Sequence, residues 1–136
     1  MKKGKRVKPA FPIEYRLLVA PYFDERANKH GTLVALRTVD EFSNFTYEII
    51  VETSLSGKSL RLHIQGLRAP QVSIPGSGPA VFRTILPVLD GTYSVVVRKL
   101  GKDENTFVIQ CTRTGVIVKE TPHERFIDIV TSEETW

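Results

Sequence analysis

The feature that most constrains the fold of this 136-residue chain is a short-range alternation of apolar and polar residues. In residues 45 to 53, large apolar side chains occupy odd-numbered positions, whereas Thr46, Glu48 and Glu52 occupy even-numbered ones, with Ile50 as the exception. We call residues at alternate positions residues of one parity. Successive side chains of a strand point to opposite faces, so this period of two predicts a half-buried β-strand. Val, Ile and Thr together number 37, against six Ala, which also favours strands. The sequence therefore predicts an all-β protein.

Turn residues separate several further segments with the same alternation. A short turn at residues 54 to 57 precedes the alternating residues 60 to 65, so we predict a β-hairpin there, with a bulge or strand end at Gly66. The other predicted strands are residues 13–19, 32–39, 80–89, 92–99, 105–112 and 115–120. Strands at this spacing are typical of an antiparallel β-sandwich of about 7 to 9 strands. A small β-barrel is the alternative.

Two segments also carry helix signals. Asp24 is a suitable N-cap for a short helical turn near residues 24–30. A capping-box pattern begins at Thr121, yet β-branched residues follow it, so residues 122–130 are either a helix or a last strand.

The length of the chain fits a single domain. We divide it into a basic N-terminal arm (1–12), one β-sandwich domain (13–131) and a C-terminal tail (132–136). The arm contains five of the 19 Lys and Arg residues, whereas residues 9 to 136 contain 14 basic and 15 acidic residues. Such an arm either contacts phosphates or is a solvated tail. Its basic residues are Lys2, Lys3, Lys5, Arg6 and Lys8.

The same arm lacks the apolar stretch of a secretory signal, and no apolar run approaches the length of a membrane span. The single cysteine, Cys111, cannot form an internal disulfide, which agrees with a reducing compartment. We therefore expect a cytoplasmic protein without a membrane span. A leader outside the given sequence would change this expectation to secretion.

Residues 89–93, Leu-Asp-Gly-Thr-Tyr, precede an alternating strand. This segment resembles the corner before the sixth strand of immunoglobulin-like and fibronectin type III domains, in which a Tyr hydrogen-bonds to the upstream backbone. The resemblance implies an immunoglobulin-like sandwich with a structural corner at Asp90, Gly91 and Tyr93. It also implies adhesion, scaffolding or ligand display without chemistry of its own. The chain departs from antibody domains because it has no second Cys and its only Trp is Trp136.

Motifs for enzyme chemistry are missing from the sequence, which has no Gly-x-Ser-x-Gly elbow, no phosphate-binding loop and no His-Glu-x-x-His. Residues 76–78, Gly-Ser-Gly, begin like a dinucleotide loop, but a predicted strand follows where a helix is required. The three His residues, His30, His63 and His123, lack the short sequence spacing of metal ligands. Cys111 shares the inward parity of Phe107 and Ile109. We expect no enzyme activity, no cofactor, no metal site and a buried Cys111 thiol.

The remaining candidates are binding residues. Arg61, His63 and Gln65 share one outward strand face that could contact an anion or a polar partner. Ser77 lies in the connection at residues 69–79, which is rich in Pro and Gly. We expect a non-catalytic binding or assembly domain that contacts another protein through such loops or through sheet edges.

The alternative is a nucleic-acid-binding β-domain, in which the basic arm acts together with Arg61, Arg83 and Arg98. The aromatic residues that would stack on bases fall mostly on the core parity. Four apolar residues on the outward parity predict either a second buried sheet face or a contact patch. They are Leu18, Ile50, Val96 and Val108.

Overall fold

The computed structural model describes residues 12–43, 47–69, 76–101 and 103–136. Within these ranges the chain forms nine strands and one short 3-10 helix, which confirms the all-β prediction. The strands are β1 (Tyr15–Asp24), β2 (Lys29–Phe42), β3 (Glu48–Ser56), β4 (Ser59–Arg68), β5 (Gly78–Leu86), β6 (Gly91–Arg98), β7 (Glu104–Cys111), β8 (Val116–Glu120) and β9 (Ile127–Val130). The 3-10 helix spans Glu133–Thr135.

The nine strands form one mixed sheet, nearly closed as a barrel, in the order β8-β7-β6-β4-β3-β5-β2-β1-β9. This arrangement fits the small-barrel alternative. The expectation of antiparallel strands alone was wrong, because β1 and β9, β3 and β5, and β4 and β6 run parallel. The reason is that β5, which runs opposite to β4, pairs with β2 instead. The next strand, β6, runs in the direction of β4 and takes the place beside it.

The inward residues of the strands share one apolar core. Among the largest fully buried side chains are Leu17, Leu36, Leu62 and Phe107, which come from four different strands. Cys111 is 2% exposed in the same core, so the prediction of a buried thiol is confirmed.

The outward apolar residues behave in different ways. Leu18 is fully buried and belongs to a second cluster on the outer face of β1 and β2, which confirms a second buried sheet face at this position. Val96 is also buried, whereas Ile50 and Val108 are half-buried. The barrel is therefore not solvated evenly on its outer surface.

The helical turn that we expected near residues 24–30 is the turn of the β1–β2 hairpin. The Asp24 carboxylate accepts hydrogen bonds from the main-chain N–H groups of Arg26 and Ala27, at 3.0 and 3.3 Å. Asn28 closes the turn with a φ of 51°. The capping signal was real, but the same Asx hydrogen bonds also begin a turn between two strands.

Residues 122–130 contain a strand and no helix. Ile127–Val130 pairs in parallel with β1, which settles the alternative for these four residues. Ahead of that strand, the buried side chain of Asn105 donates to the main-chain oxygen of Glu124 at 3.2 Å. It also accepts from the main-chain N–H of Phe126 at 2.9 Å. A long-range partner thus takes main-chain groups that a helix would have used within itself.

The predicted corner forms the hydrogen bond that its sequence suggested. The Tyr93 hydroxyl accepts from the main-chain N–H of Asp90 at 3.4 Å, and the Tyr93 side chain is 7% exposed. Gly91 has a φ of 109°, and a Cβ there would lie 3.1 Å from Nζ of Lys58. This Nζ sits 4.7 Å from the centroid of the Tyr93 ring and donates to the Asp90 main-chain oxygen. The corner therefore fastens the β3–β4 turn to the start of β6.

We expect Tyr93→Phe to lower the free energy of unfolding by about 1 kcal/mol, measured by urea denaturation. The substitution leaves the main-chain N–H of Asp90 without its partner, but that bond is long and Asp90 is exposed to water. Tyr22→Phe is the matched control, since in the described ranges the Tyr22 hydroxyl forms no hydrogen bond. Equal stability of Tyr93→Phe and the unaltered chain would show that the corner bond contributes nothing.

Burial raises the pKa of the Cys111 thiol, Asp90 raises it further, and Lys58 opposes the shift. Because the thiolate is the reactive form, we expect slow labelling of the folded protein by a disulfide reagent at pH 8 and fast labelling in urea. The unfolded thiol loses its proton at a lower pH than the folded one. Stability should therefore fall as the pH rises above the ordinary thiol pKa. Labelling of the folded protein as fast as in urea would contradict a buried thiol.

Candidate functional site

β3 and β5 are neighbours in the sheet but pair at a single position. Glu48 lies opposite Val81, and the main-chain N–H of Val81 donates to the main-chain oxygen of Tyr47 at 3.2 Å. Beyond this point no residue of β3 pairs with β5 in the described chain. The ladder of the nearly closed sheet is thus interrupted along most of both strands.

The geometry of the β3–β4 hairpin decides which main-chain groups of β3 are unpaired. Ser56 and Ser59 flank a two-residue turn that begins at Gly57, where φ is 57°, as a type II′ turn requires. The residue pair that closes such a turn, Ser56 with Ser59, is a hydrogen-bonded pair. Hydrogen-bonded and non-bonded pairs alternate along an antiparallel ladder, so the main chain of Ser54 also bonds to β4. The N–H and C=O groups of Val51, Thr53 and Leu55 therefore point away from β4. We call residues 51–55 the β3 edge.

The facing part of β5 is open in the same way. Val81 donates its N–H towards β3, whereas Ala80 donates its N–H to the Thr38 hydroxyl on β2, at 2.9 Å. By the same alternation, the main-chain groups of Arg83 and Ile85 point towards the β3 edge. Two strand edges thus face each other without a ladder between them.

Core side chains along this gap are incompletely covered. Val51, Phe82 and Leu86 are partly buried and pack against the main core, and Leu55 is 37% exposed. The Oγ1 atom of Thr53 is buried and has no hydrogen-bond partner, the one such side-chain atom among the described residues. Apolar packing and main-chain pairing therefore both weaken at the β3 edge.

The residues that the sequence proposed for binding are only partly brought together. Arg61 and His63 line a shallow groove of about 250 Å³ on the outer face of β3, β4, β6 and β7. Glu52, His63, Arg98 and Glu104 follow one another across the four strands. The Arg and His side chains are thus flanked by carboxylates, so the groove has mixed charge.

The other candidate residues lie elsewhere. Gln65 is exposed at the β-bulge opposite Ile50 and does not line the groove. Ser77 is exposed just ahead of β5, and Arg83 is on the outer face of β5. The basic residues of the N-terminal arm lie outside the described residues, as do residues 70–75 of the long connection.

No protein-family model, curated protein or solved structure matches the chain. The immunoglobulin-like resemblance therefore stays a prediction, and the functional argument rests on geometry.

Within the described ranges, no group of three or more His, Cys, Asp and Glu side chains is placed to hold a metal ion. No helix there has the length and apolar character that crossing a membrane demands.

Sequence reasoning considered sheet edges in general but missed the β3 edge in particular. Two signals were available in the residues themselves. Thr53 is a polar residue on the inward parity of its strand, and Glu48–Ser56 contains neither Pro nor Lys, the residues that commonly protect an open edge.

We expect Thr53→Val to raise the free energy of unfolding by about 1 kcal/mol, because Val keeps the shape of the side chain and removes a buried hydroxyl without a partner. Thr32→Val is the matched control with the opposite sign. The Thr32 hydroxyl accepts from the buried main-chain N–H of Leu89 at 3.1 Å, and its loss should cost about 1 to 3 kcal/mol. Urea denaturation measures both. Destabilisation by Thr53→Val would mean that its hydroxyl has a partner in solution.

Proposed function

We propose that this protein is a non-catalytic binding domain that accepts an extended segment of a partner protein as an added strand along the β3 edge. The observation that supports this proposal is the pairing of β3 with β5 at one position only. The remaining N–H and C=O groups of the β3 edge are free to pair with a segment from outside. Addition of a strand to an open edge is a recurrent mode of peptide recognition.

The surroundings of the edge suggest what kind of segment would bind. Its inward side chains would meet Val51, Phe82 and Leu86, which are partly buried, so apolar residues suit those positions. Its outward side chains would lie between the exposed Glu52 and Arg83, where polar residues suit better. We expect a segment with apolar residues at alternate positions.

The β3 edge also differs from the strands at the two ends of the sheet. β8 has Lys119 and β9 has Asp128, and a charge on an end strand discourages unwanted pairing. On the β3 edge itself, Glu52 is the only charged residue, and its side chain is on the outer face. The edge is therefore poorly protected, which favours a functional role.

Nucleic-acid binding is the competing function. Arg61 and Arg98 lie in one groove, but Glu52 and Glu104 flank them, and Arg83 is on β5. A phosphate backbone needs a continuous basic surface. In the described chain these three arginines do not supply one, so this alternative depends on the basic arm.

Thr53→Pro tests the proposal. The substitution removes an N–H that points away from β4, and Pro is tolerated on an edge strand in that orientation. Ten-residue peptides selected from a random library on the unaltered full-length chain serve as probes, with affinity measured by fluorescence anisotropy. We expect Thr53→Pro to stay folded by circular dichroism and to bind these peptides about tenfold more weakly or worse. Thr53→Val keeps the N–H and should bind them normally.

Amide hydrogen exchange gives a second readout that does not depend on the variant. A bound peptide should slow exchange at the amides of Val51, Thr53 and Leu55, and should leave those of Glu52 and Ser54 nearly unchanged. Equal binding to Thr53→Pro, or protection at another surface, would overturn the proposal. So would failure to select any peptide, and tight DNA binding at physiological salt would then favour the nucleic-acid alternative.

A further inference from the structure

The central part of the outer face of β1 and β2 is apolar and buried. Leu18, Leu33 and Ala35 are fully buried there, and Ala20 is 8% exposed. These residues face outward from the barrel, and Leu18 is paired with Ala35 and Ala20 with Leu33. A sheet face in contact with water is ordinarily polar, so these apolar residues require a cover.

The cover includes the last residues of the chain. The Trp136 side chain packs on this cluster together with Tyr22 and Val130, and the indole N–H donates to the main-chain oxygen of Arg16 at 3.0 Å. We call residues 131–136 the strap. The indole buries apolar ring area and satisfies its one donor at the same time, which makes Trp well suited to such a site.

Two arginines fix the end of the strap. The Arg16 and Arg37 guanidinium groups both donate to the main-chain oxygen of Trp136, at 3.4 and 3.3 Å. Arg37 also donates through Nε to the main-chain oxygen of Thr38, which orients its side chain. The site therefore recognises an aromatic ring and an adjacent main-chain acceptor together.

The rest of the strap adds little to this attachment. The four residues between Thr131 and Trp136 are exposed, and three of them form the 3-10 helix, which contains no buried residue. The Ser132 side chain caps that helix within the strap itself. The strap is therefore fastened to β1 and β2 mainly through one residue, and such a contact opens at low cost.

The apolar surface continues beyond the strap. A groove of about 360 Å³ begins at Tyr22, which also packs against the buried outer cluster, and passes Gly31 and Ile85 to Pro87. Its polar lining residues are Asp24, Lys29 and His30. The Ile85 side chain is 49% exposed, and it lies so close to Gly31 that a Cβ there would be 2.8 Å from its Cγ2 atom. A longer ligand than the strap would therefore find both apolar and charged side chains beyond Tyr22.

We propose that the outer face of β1 and β2 is a second docking site, for a segment of a partner protein that presents a tryptophan, and that the strap occupies this site as an intramolecular competitor. The partner's indole would replace that of Trp136, and its main-chain oxygen would accept from Arg16 and Arg37. A tethered strap acts at an effective concentration of the order of mM, so it excludes weak ligands and admits only those that bind better. This site is independent of the β3 edge.

The chain contains a single Trp, which makes the test direct. Full-length Trp136→Ala has no tryptophan of its own, so the fluorescence of a tryptophan in an added peptide reports docking. The probe is the acetylated and amidated peptide of residues 131–136, Thr-Ser-Glu-Glu-Thr-Trp. We expect a saturable blue shift with Trp136→Ala. With the unaltered chain, which still has its strap, anisotropy of a labelled copy of the peptide should show binding about tenfold weaker or worse.

Matched variants locate the site. Adding Arg37→Ala to Trp136→Ala should weaken binding of the peptide by about tenfold, because one of the two donors to its main-chain oxygen is lost. Arg113→Ala, in the turn between β7 and β8, removes an exposed arginine whose side chain forms no hydrogen bond in the described chain, and should change nothing. A labelled peptide in which Ala replaces the Trp, Thr-Ser-Glu-Glu-Thr-Ala, should bind poorly when measured by anisotropy.

Trp136→Phe covers the case in which Trp136→Ala does not fold, since it also lacks tryptophan and keeps an aromatic ring in the strap. Absence of a saturable shift with a folded variant would overturn the proposal. Equal affinity of the peptide for the unaltered chain and for Trp136→Ala would overturn it as well, because the peptide would then bind outside the face that the strap covers. An unchanged affinity of the peptide after Arg37→Ala would also overturn the proposal.

Discussion

The need of every main-chain N–H and C=O group for a partner is the constraint on which this structure depends. A sheet that closes completely satisfies it for all strands at once. Here nine strands come close to closure, and the ladder between β3 and β5 stops after one pair of residues. At the same place the inward side chains are half-buried, and the Thr53 hydroxyl lacks a partner. The position that the barrel leaves incomplete is thus the position most suited to receiving another strand.

Side-chain parity imposes a second constraint, on the outer surface. Where outward residues of neighbouring strands are apolar, as Leu18 and Ala35 are, the fold has to cover them. The strap does so with one indole ring and with hydrogen bonds to Arg16 and Arg37. The two proposed sites therefore differ in chemistry. One offers unpaired main-chain groups along a strand, and the other offers an apolar face with two cationic donors.

Much of the fold could be predicted from sequence because alternation is a local property. The segment predicted at residues 45 to 53 is strand Glu48–Ser56, and the parity of Cys111 and Tyr93 was right. Local signals were less informative at Asp24, where the same capping hydrogen bonds begin a hairpin turn instead of a helix. The choice of a neighbouring strand in the sheet is not a local property. Nothing in the residues of β4 indicates that β6, and not β5, lies beside it.

In the candidate site, too, local features could be predicted from sequence, whereas features that depend on strand pairing could not. Arg61 and His63 share a groove because two residues apart on one strand always share a face. Gln65 departs from that groove because the bulge at Gly66 interrupts the register. Thr53 and the lack of Pro and Lys in β3 are compatible with an open edge, but they do not locate one, since the β3 edge exists only because β5 pairs with β2 and touches β3 at Val81.

The parallel pairing of β1 with β9 has a consequence for synthesis of the chain on the ribosome. Tyr15 lies opposite Ile127, so β1 obtains this neighbour only after more than a hundred further residues have been added. Until then one side of β1 can pair with β2, while its other side and its outer apolar face stay open to other nascent chains. Contacts so distant in sequence make folding slow, and they lengthen the period in which a new chain can aggregate. Of all the strands in this sheet, β1 thus waits longest for its second neighbour.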